Sequence, residues 1–308
     1  MLALVAALGY GCSDFAAGLA SRRAGVIQVT LVASVVSAAL VAVVLPFAVS
    51  QAPTFRALAW GFAAGAAGTL GAFGLYLGFR LAAFSVAGPI SAVAAAGFSV
   101  LAGLALGERP SVLALTGIVL ALPAIVGVSA GGDSSGSEGS EGSEGSEGSG
   151  GARSGAWRGL GLGLIAGAGF AGLFIGLDEA GSGSGLWPVA AAQAGEVAAA
   201  LGAAAAAGVA TLSSRRSGAG RPAFRWLGAQ PAWLAAATGI CGGSGTIVYF
   251  YATQHGYLAI TAVLTSLYPA ITIVLARVLL GERLTPLRLA GLVLAGACVA
   301  LIAVGGAG

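Results

Sequence analysis

The chain consists mostly of long apolar segments separated by short breaks. A helix needs about 20 apolar residues to cross a membrane, because lipid cannot hydrogen-bond an exposed backbone group. Ten such segments follow one another, near residues 2–20, 26–49, 58–80, 83–106, 111–129, 157–177, 186–212, 232–254, 257–280 and 286–305. We therefore predict an all-α membrane protein with ten transmembrane helices, located in the cell (cytoplasmic) membrane and surrounded by its lipid bilayer.

The composition excludes several other classes of protein. Of the 308 residues, 57% are hydrophobic and 8% are charged, whereas about 25% of a soluble domain is charged. Such a surface would not stay dissolved in water, which excludes a soluble enzyme or a disordered scaffold. The net charge of +3 and the absence of lysine argue against nucleic acid as a partner.

No sequence motif indicates a cofactor, a metal or an enzyme. The run from Gly167 to Gly172 matches a dinucleotide-binding fingerprint, but it lies inside an apolar segment with no preceding strand. Cys12, Cys241 and Cys298 are far apart, which does not suit a zinc site or a disulfide framework. No set of nucleophile, base and orienting residue is visible, so we expect no cofactor, no metal and no catalysis.

A low-complexity segment divides the chain. Gly131 to Gly155 contains a Ser-Glu-Gly repeat and no large apolar side chain, which is typical of a flexible linker. The predicted organisation is a first five-helix unit at 1–129, an acidic linker at 130–156 and a second five-helix unit at 157–308.

The two units resemble each other. At an offset of 174 residues, thirteen of the twenty-two positions in 100–121 are identical to those in 274–295, including Leu106–Arg109 and Gly117. A unit with five spans has an odd number of crossings, so its second copy enters the membrane from the opposite side. Inverted repeats of this kind usually hold a substrate between them near the membrane midplane.

These features resemble the EamA-type members of the drug/metabolite transporter superfamily. The resemblance lies in the five-plus-five arrangement, in Leu106-Gly107-Glu108-Arg109 and Leu280-Gly281-Glu282-Arg283, in the opening Gly9–Phe15 stretch and in Tyr268-Pro269. It implies export or import of small metabolites, often amino acids or amphiphiles, without ATP.

Ionisable residues inside apolar segments are costly and therefore mark candidate functional positions. Glu196 lies in the middle of the seventh segment, with Gln193 one turn before it on the same face. Glu196 could take up a proton and release it when a cavity opens to water, which makes it our candidate for proton coupling. The alternative is a protonated side chain bonded to a neighbouring helix.

The first segment offers a second polar group. Asp14 adjoins Ser13, and Tyr10 lies four residues earlier on the same face. These three residues are candidates for recognising a solute. The alternative is that Asp14 pairs with Arg22 or Arg23 at the membrane boundary.

Other side chains leave two interpretations open. Thr30, Ser34 and Ser37 form one polar stripe, for which helix packing is favoured over solute contact. The rings of Tyr76, Tyr251 and Tyr268, among other aromatic residues, could line a cavity. A belt at the membrane interface is the alternative for the aromatic residues, and the depth of Tyr268 favours the cavity.

Glu108-Arg109 and Glu282-Arg283 occupy turns, where we expect charges that fix helix ends, and His255 is expected at the interface. The side of the membrane that holds the termini stays open. The distribution of arginines places both termini outside, whereas the family resemblance places them in the cytoplasm.

The sequence thus predicts a secondary transporter, an exporter, of a small organic solute, with proton coupling as an option. The alternative is a membrane scaffold or partner-binding protein that moves nothing. Solutes that stabilise the protein against heat would favour the transporter.

Overall fold

The computed structural model describes residues 1–48, 51–81, 84–129, 149–216, 228–280 and 285–305, and some side chains inside these ranges are not described. Every regular element in these ranges is an α-helix. The helices are α1 (Leu2–Ser21), α2 (Val26–Ala48), α3 (Phe55–Leu81), α4 (Phe84–Ala105), α5 (Val112–Ser129), α6 (Ser149–Glu179), α7 (Trp187–Arg216), α8 (Ala229–Thr253), α9 (Leu258–Thr265), α10 (Tyr268–Leu280) and α11 (Pro286–Gly305).

The helices follow the apolar segments closely, with two differences. Helix α6 begins at Ser149, earlier than the predicted start at residue 157 and inside the range assigned to the linker. The ninth segment contains two helices, α9 and α10, rather than one. The Ser-Glu-Gly repeat up to residue 148 and the second Gly-Glu-Arg turn at 281–283 lie outside the described residues.

Seven helical segments of the described chain are long and apolar enough to cross a membrane. One of them is Leu258–Leu279, which runs through α9 and α10. Three shorter apolar helices accompany them, at Ile90–Ala105, Val112–Gly127 and Leu289–Ile302. The protein is therefore an all-helical, multi-pass membrane protein.

A proline accounts for the break between α9 and α10. Pro269 is the second residue of α10, and proline removes a backbone donor and crowds the carbonyl four residues earlier, here that of Thr265. Helix α9 accordingly ends at Thr265 and α10 begins at Tyr268.

Large apolar side chains are exposed on the molecule. Phe47 and Phe55 are each 88% exposed, and Leu101, Val112 and Val278 are exposed as well. An apolar surface of this extent is unfavourable in water but matches the hydrocarbon of a bilayer. The buried positions, in contrast, are rich in alanine, whose small side chain lets helices approach closely.

Glycines make the closest contacts between helices. A Cβ atom at Gly65 in α3 would overlap the backbone carbonyl of Ala192 in α7, and one at Gly239 in α8 would overlap that of Ala33 in α2. Lipid provides little hydrophobic force to hold helices together, so close backbone packing has to supply the attraction. These glycines allow that packing.

The same contacts recur between different helices. Gly9 in α1 packs against Gly245 in α8, and Gly169 in α6 packs against Gly71 in α3. The step from 9 to 169 is 160 residues, and the step from 71 to 245 is 174 residues, the same offset that aligns residues 100–121 with 274–295 in the sequence. Contacts of α1 with α8 and of α6 with α3 are thus built in the same way.

The contacts also give the directions of the helices. Along α1, Tyr10 meets Thr246 and Arg23 meets Gln230, so α1 and α8 run antiparallel. Gly239 lies against Ala33 and Gly243 against Ser37, so α2 and α8 run parallel.

Helix α3 has the corresponding partners. Gly71 packs on Phe170 and Ala64 packs on Gly176, so α3 and α6 run antiparallel. Gly61 packs on Pro188, four residues before the contact of Gly65 with Ala192, so α3 and α7 run parallel.

The first Gly-Glu-Arg turn holds the end of a distant helix. The Glu108 carboxylate accepts hydrogen bonds from the backbone N–H groups of Leu258 and Ala259, the latter at 2.9 Å. These N–H groups begin α9 and have no partner inside the helix, and a carboxylate there also complements the helix dipole. The prediction that this turn fixes a helix end is confirmed for Glu108, and the helix lies in the other unit.

Two glycines make this contact possible. Gly107 has a backbone angle φ of +94°, which residues with a Cβ atom rarely adopt. A Cβ atom at Gly103 would collide with the Glu108 carboxylate as it reaches α9. The presence of glycine at positions 103 and 107, close to Glu108, therefore has a steric reason.

The packing predicts that added methyl groups act differently at two glycines. Gly65→Ala should lower the free energy of unfolding by about 1–3 kcal/mol, because the Cβ atom would force α3 and α7 apart. Gly97→Ala is the matched control, since nothing lies within 4 Å of a Cβ atom there, and it should leave stability unchanged or slightly higher. Thermal unfolding in detergent measures both, and equal effects would contradict the packing.

Candidate functional site

A cavity of about 100 Å³, with polar groups set in a mainly apolar wall, lies among six helices. This is several times the space that one water needs, and it is below the size of a pocket for a drug-sized ligand. Helices α1, α2 and α3 and helices α6, α7 and α8 all contribute to it. Its lining comprises Tyr10, Ser13, Asp14, Thr30, Ala33, Ser34, Ser37, Gly68, Thr69, Ala72, Tyr76, Phe170, Leu173, Glu196, Thr238, Gly239, Gly242, Gly243 and Thr246.

Two carboxylates line this cavity. Asp14 comes from α1 and Glu196 from α7, and each is only partly buried because it faces the open space. In the part of the chain that the structure describes, neither carboxylate has a hydrogen-bond or ion-pair partner; the ion pair found there joins Arg56 to Glu179. The cavity therefore holds acidic groups that the surrounding residues do not neutralise.

The position of Asp14 bears on its two interpretations. Arg22 follows the end of α1, eight residues after Asp14, which corresponds to about 12 Å along a helix axis, and Arg23 bonds to Gln230 in α8. Asp14 lies in the cavity beside Ser13 instead. Its placement favours contact with the contents of the cavity.

A hydrogen bond across two helices fixes Tyr10. Its hydroxyl lies 3.1 Å from Thr246 Oγ1. Thr246 donates its single hydroxyl proton to the Gly242 carbonyl at 3.0 Å, so Tyr10 is the donor in the first bond. The Tyr10 ring also contacts Phe174, with ring centroids 6.2 Å apart.

Other hydroxyls of the lining also donate to backbone carbonyls. Ser13 donates to Thr238 O at 3.0 Å, and Thr238 donates to Leu234 O at 2.9 Å. Thr69 donates to Gly65 O at 3.1 Å. Such bonds satisfy a hydroxyl within the helices, and they leave its oxygen lone pairs available as acceptors.

The polar stripe of α2 faces the same space. Thr30, Ser34 and Ser37 are all buried and all line the cavity. Among the described residues the Thr30 hydroxyl has no hydrogen-bond partner. The sequence favoured packing for this stripe, and the structure gives it a place in the lining.

The structure brings five of the eight predicted site residues together. Tyr10, Ser13, Asp14, Tyr76 and Glu196 share the cavity, although they come from three different helices.

Gln193 lies elsewhere. It precedes Glu196 by about one turn but does not line the cavity, and it is 2% exposed. The adjoining Ala192 lies in the contact of α7 with α3, which indicates that this part of α7 faces a helix rather than open space.

Two tyrosines were also expected in the cavity and lie outside it. Tyr251 is 38% exposed, because its neighbours Tyr249 and Phe250 occupy the buried face of α8. Its position near the end of α8 matches the interface alternative. Tyr268 is buried in a cluster of apolar residues that includes Ala92 and Ile118, at the start of α10.

Several lining residues did not emerge from the sequence. Thr69, Phe170, Thr238 and Thr246 are the main ones. Threonine is common in apolar helices because it can satisfy its own hydroxyl, so it gives a weak signal. A stripe was nevertheless available, because Thr238, Gly242 and Thr246 follow one another at four-residue intervals along one face of α8.

The described lining offers carboxylates, hydroxyls and aromatic rings, which are groups that can contact a small polar solute. Among the described residues, no three His, Cys, Asp or Glu side chains come together in a way that could hold a metal ion.

The fold and the cavity define a multi-pass helical membrane protein with a small polar chamber between its helices. Residues 157–304 match the model of the EamA-like transporter family. The second half of the chain is therefore similar to an EamA-like transporter domain, which confirms the resemblance to the drug/metabolite transporter superfamily over these residues.

A solved structure shows the extent of the fold. One crystal structure of a protein matches with a TM-score of 0.65 over 98% of this chain and 97% of its own, at 15% sequence identity. At this identity the likeness concerns the fold alone, and it covers both halves of the chain. No curated protein matches the sequence.

The bond between Tyr10 and Thr246 can be tested by a double-mutant cycle. Tyr10→Phe and Thr246→Val should show a coupling of about 0.5–1.5 kcal/mol in the free energy of unfolding, because each removes the same hydrogen bond. A cycle of Tyr10→Phe with Thr253→Val is the control, since Thr253 bonds to Phe250 O instead. Thermal or denaturant unfolding measures both cycles, and equal coupling in both would contradict the bond.

Proposed function

We propose that the protein is a secondary transporter that moves a small organic metabolite or amphiphile across the cell membrane by alternating access, in the direction of export. Its ten spans would form two inverted five-helix repeats, with α9 and α10 together making the ninth span. The observation that carries this proposal is a cavity lined by two carboxylates that have no ion-pair partner among the described residues. Both halves of the chain line this cavity, and the second half matches the EamA-like transporter family.

The matched contacts support two repeats. If α1, α2 and α3 correspond to α6, α7 and α8, then the packing of α1 on α8 corresponds to that of α6 on α3. These two interfaces contain the equivalent glycine contacts, Gly9 with Gly245 and Gly169 with Gly71. The packing of α3 on α7 and of α8 on α2 corresponds in the same way.

The helix directions support an inversion. Consecutive spans alternate in direction, so α1 and α3 point the same way. Since α6 runs antiparallel to α3, it points the opposite way to α1, the helix to which it corresponds. Two such halves can rock against each other and open a shared cavity to one side at a time.

The depth of the two carboxylates supports a midplane site. Asp14 is the thirteenth residue of the 20-residue α1. Glu196 is the tenth residue of the 30-residue α7, and its span in the membrane ends near Val209. Both therefore lie well inside their spans. A carboxylate at that depth is energetically costly, so its presence points to a function.

Glu196 also provides a means of proton coupling. A carboxyl group that faces a chamber can exchange its proton with water when the chamber is open and keep it when the chamber is closed. Among the described residues, the other titratable groups that face the same space are Asp14, Tyr10 and Tyr76. Proton release would then accompany solute binding.

This proposal predicts that Glu196→Gln removes the dependence of transport on a pH gradient. Proteoliposomes that contain a pH-sensitive dye would receive small metabolites one at a time, and proton movement would be recorded for each. The amide has nearly the shape of the acid but cannot carry the proton. Glu179→Gln is the control, because Glu179 lies outside the cavity in the ion pair with Arg56, and it should keep the coupling.

Proton coupling that survives in Glu196→Gln would exclude this residue from the mechanism. If no solute moves and none raises the thermal stability of the wild type, the protein is a membrane scaffold rather than a transporter.

A further inference from the structure

The charge of the cavity restricts what can enter it. Asp14 and Glu196 line it, and among the residues whose side chains the structure describes no arginine or histidine does. Of the described basic residues, Arg23 bonds to Gln230 and Arg56 pairs with Glu179, both at helix ends. A negatively charged solute would meet two carboxylates without a compensating cation, which is strongly unfavourable inside a membrane.

The hydrogen-bonding character of the cavity restricts the solute further. The protons of Tyr10, Ser13 and Thr246 are all donated to other protein groups. The oxygens of these hydroxyls still carry lone pairs. Together with the two carboxylates, these oxygens offer several acceptors, which favours a solute that donates hydrogen bonds.

Thr30 is an independent indication that a ligand is expected. Its hydroxyl is buried, lines the cavity and has no hydrogen-bond partner among the described residues. A buried hydroxyl without a partner is costly, and a solute with an N–H group would satisfy it.

The walls and the size complete the description. The rings of Tyr10, Tyr76 and Phe170 line the same space, and aromatic rings attract both cations and alkyl groups. The volume of about 100 Å³ allows only a small molecule.

We propose that the cavity binds a small protonated amine, with the carboxylates of Asp14 and Glu196 as its counter-charges and the hydroxyl oxygens as further acceptors. This inference rests on the proposed transport function and adds the chemical class of the solute. A carboxylic acid is excluded by charge, and an alcohol does not compensate the two carboxylates.

Four probes of similar size test the proposal on the full-length protein in detergent at pH 7.5. They are 1-butylamine, which is an ammonium ion at this pH, tetramethylammonium, which is a cation without N–H groups, 1-butanol and butyrate. Isothermal titration calorimetry should show 1-butylamine binding about tenfold or more tightly than 1-butanol and butyrate, because hydrogen bonds to a charged group are the strong ones. Tetramethylammonium should bind more weakly than 1-butylamine.

Variants assign the binding to the cavity. Asp14→Asn and Glu196→Gln should each weaken 1-butylamine binding about tenfold, and Thr30→Val should weaken it less. Asp178→Asn is the matched control, since Asp178 lies in α6 but does not line the cavity, and it should bind as the wild type does. The comparison of probes on the wild type needs no variant, so a variant that fails to fold does not weaken the test.

Several results would overturn the proposal. They are equal binding of butyrate or 1-butanol, equal binding of tetramethylammonium, no binding of 1-butylamine at all, and unchanged binding in both carboxylate variants. If the protein transports an acidic or neutral metabolite but does not bind 1-butylamine, the amine proposal is wrong and the transport proposal stands. If it binds the amine but transports no solute, the transport proposal is wrong and the amine proposal stands.

Discussion

Lipid offers no hydrogen bonds, and this constraint shapes each level of the structure. It requires helices, because only helices satisfy the backbone within one segment. It also explains why Thr69, Thr238 and Thr246 donate to carbonyls four residues earlier in their own helices. Against this background the carboxylates of Asp14 and Glu196, which have no ion-pair partner among the described residues, are exceptions, and both face a cavity rather than hydrocarbon.

The same constraint determines how the helices associate. Apolar side chains gain little by leaving lipid for one another, so the helices depend on close backbone contacts at positions such as Gly65 and Gly239. The described contacts of these glycines join early helices to late ones. The cavity forms among the six helices that make these contacts. Its lining contains polar side chains as well as glycines and alanines. Movement of the two halves against each other would therefore change the shape of the cavity directly.

The sequence was sufficient for the helices and for part of the site. The length of each apolar segment except the ninth predicted one helix, and the rarity of charge inside the segments pointed to Asp14 and Glu196. The break at Pro269 was not predicted, because proline alone does not show whether a helix bends or stops. The sequence could not show that Tyr251 lies outside this cavity, because an aromatic ring suits both a cavity and a membrane interface. Which face of a helix meets a cavity depends on its neighbours, and a sequence does not give these directly.

The central claim is that one cavity opens in turn to the two sides of the membrane. A single cysteine at Ala72, which lines the cavity, tests it directly after Cys12, Cys241 and Cys298 are replaced by serine. Sealed vesicles of both orientations would be treated with a small thiol reagent that cannot cross the membrane. The account predicts that the cysteine at Ala72 is labelled from both sides. Labelling from one side only, or from neither, would contradict it.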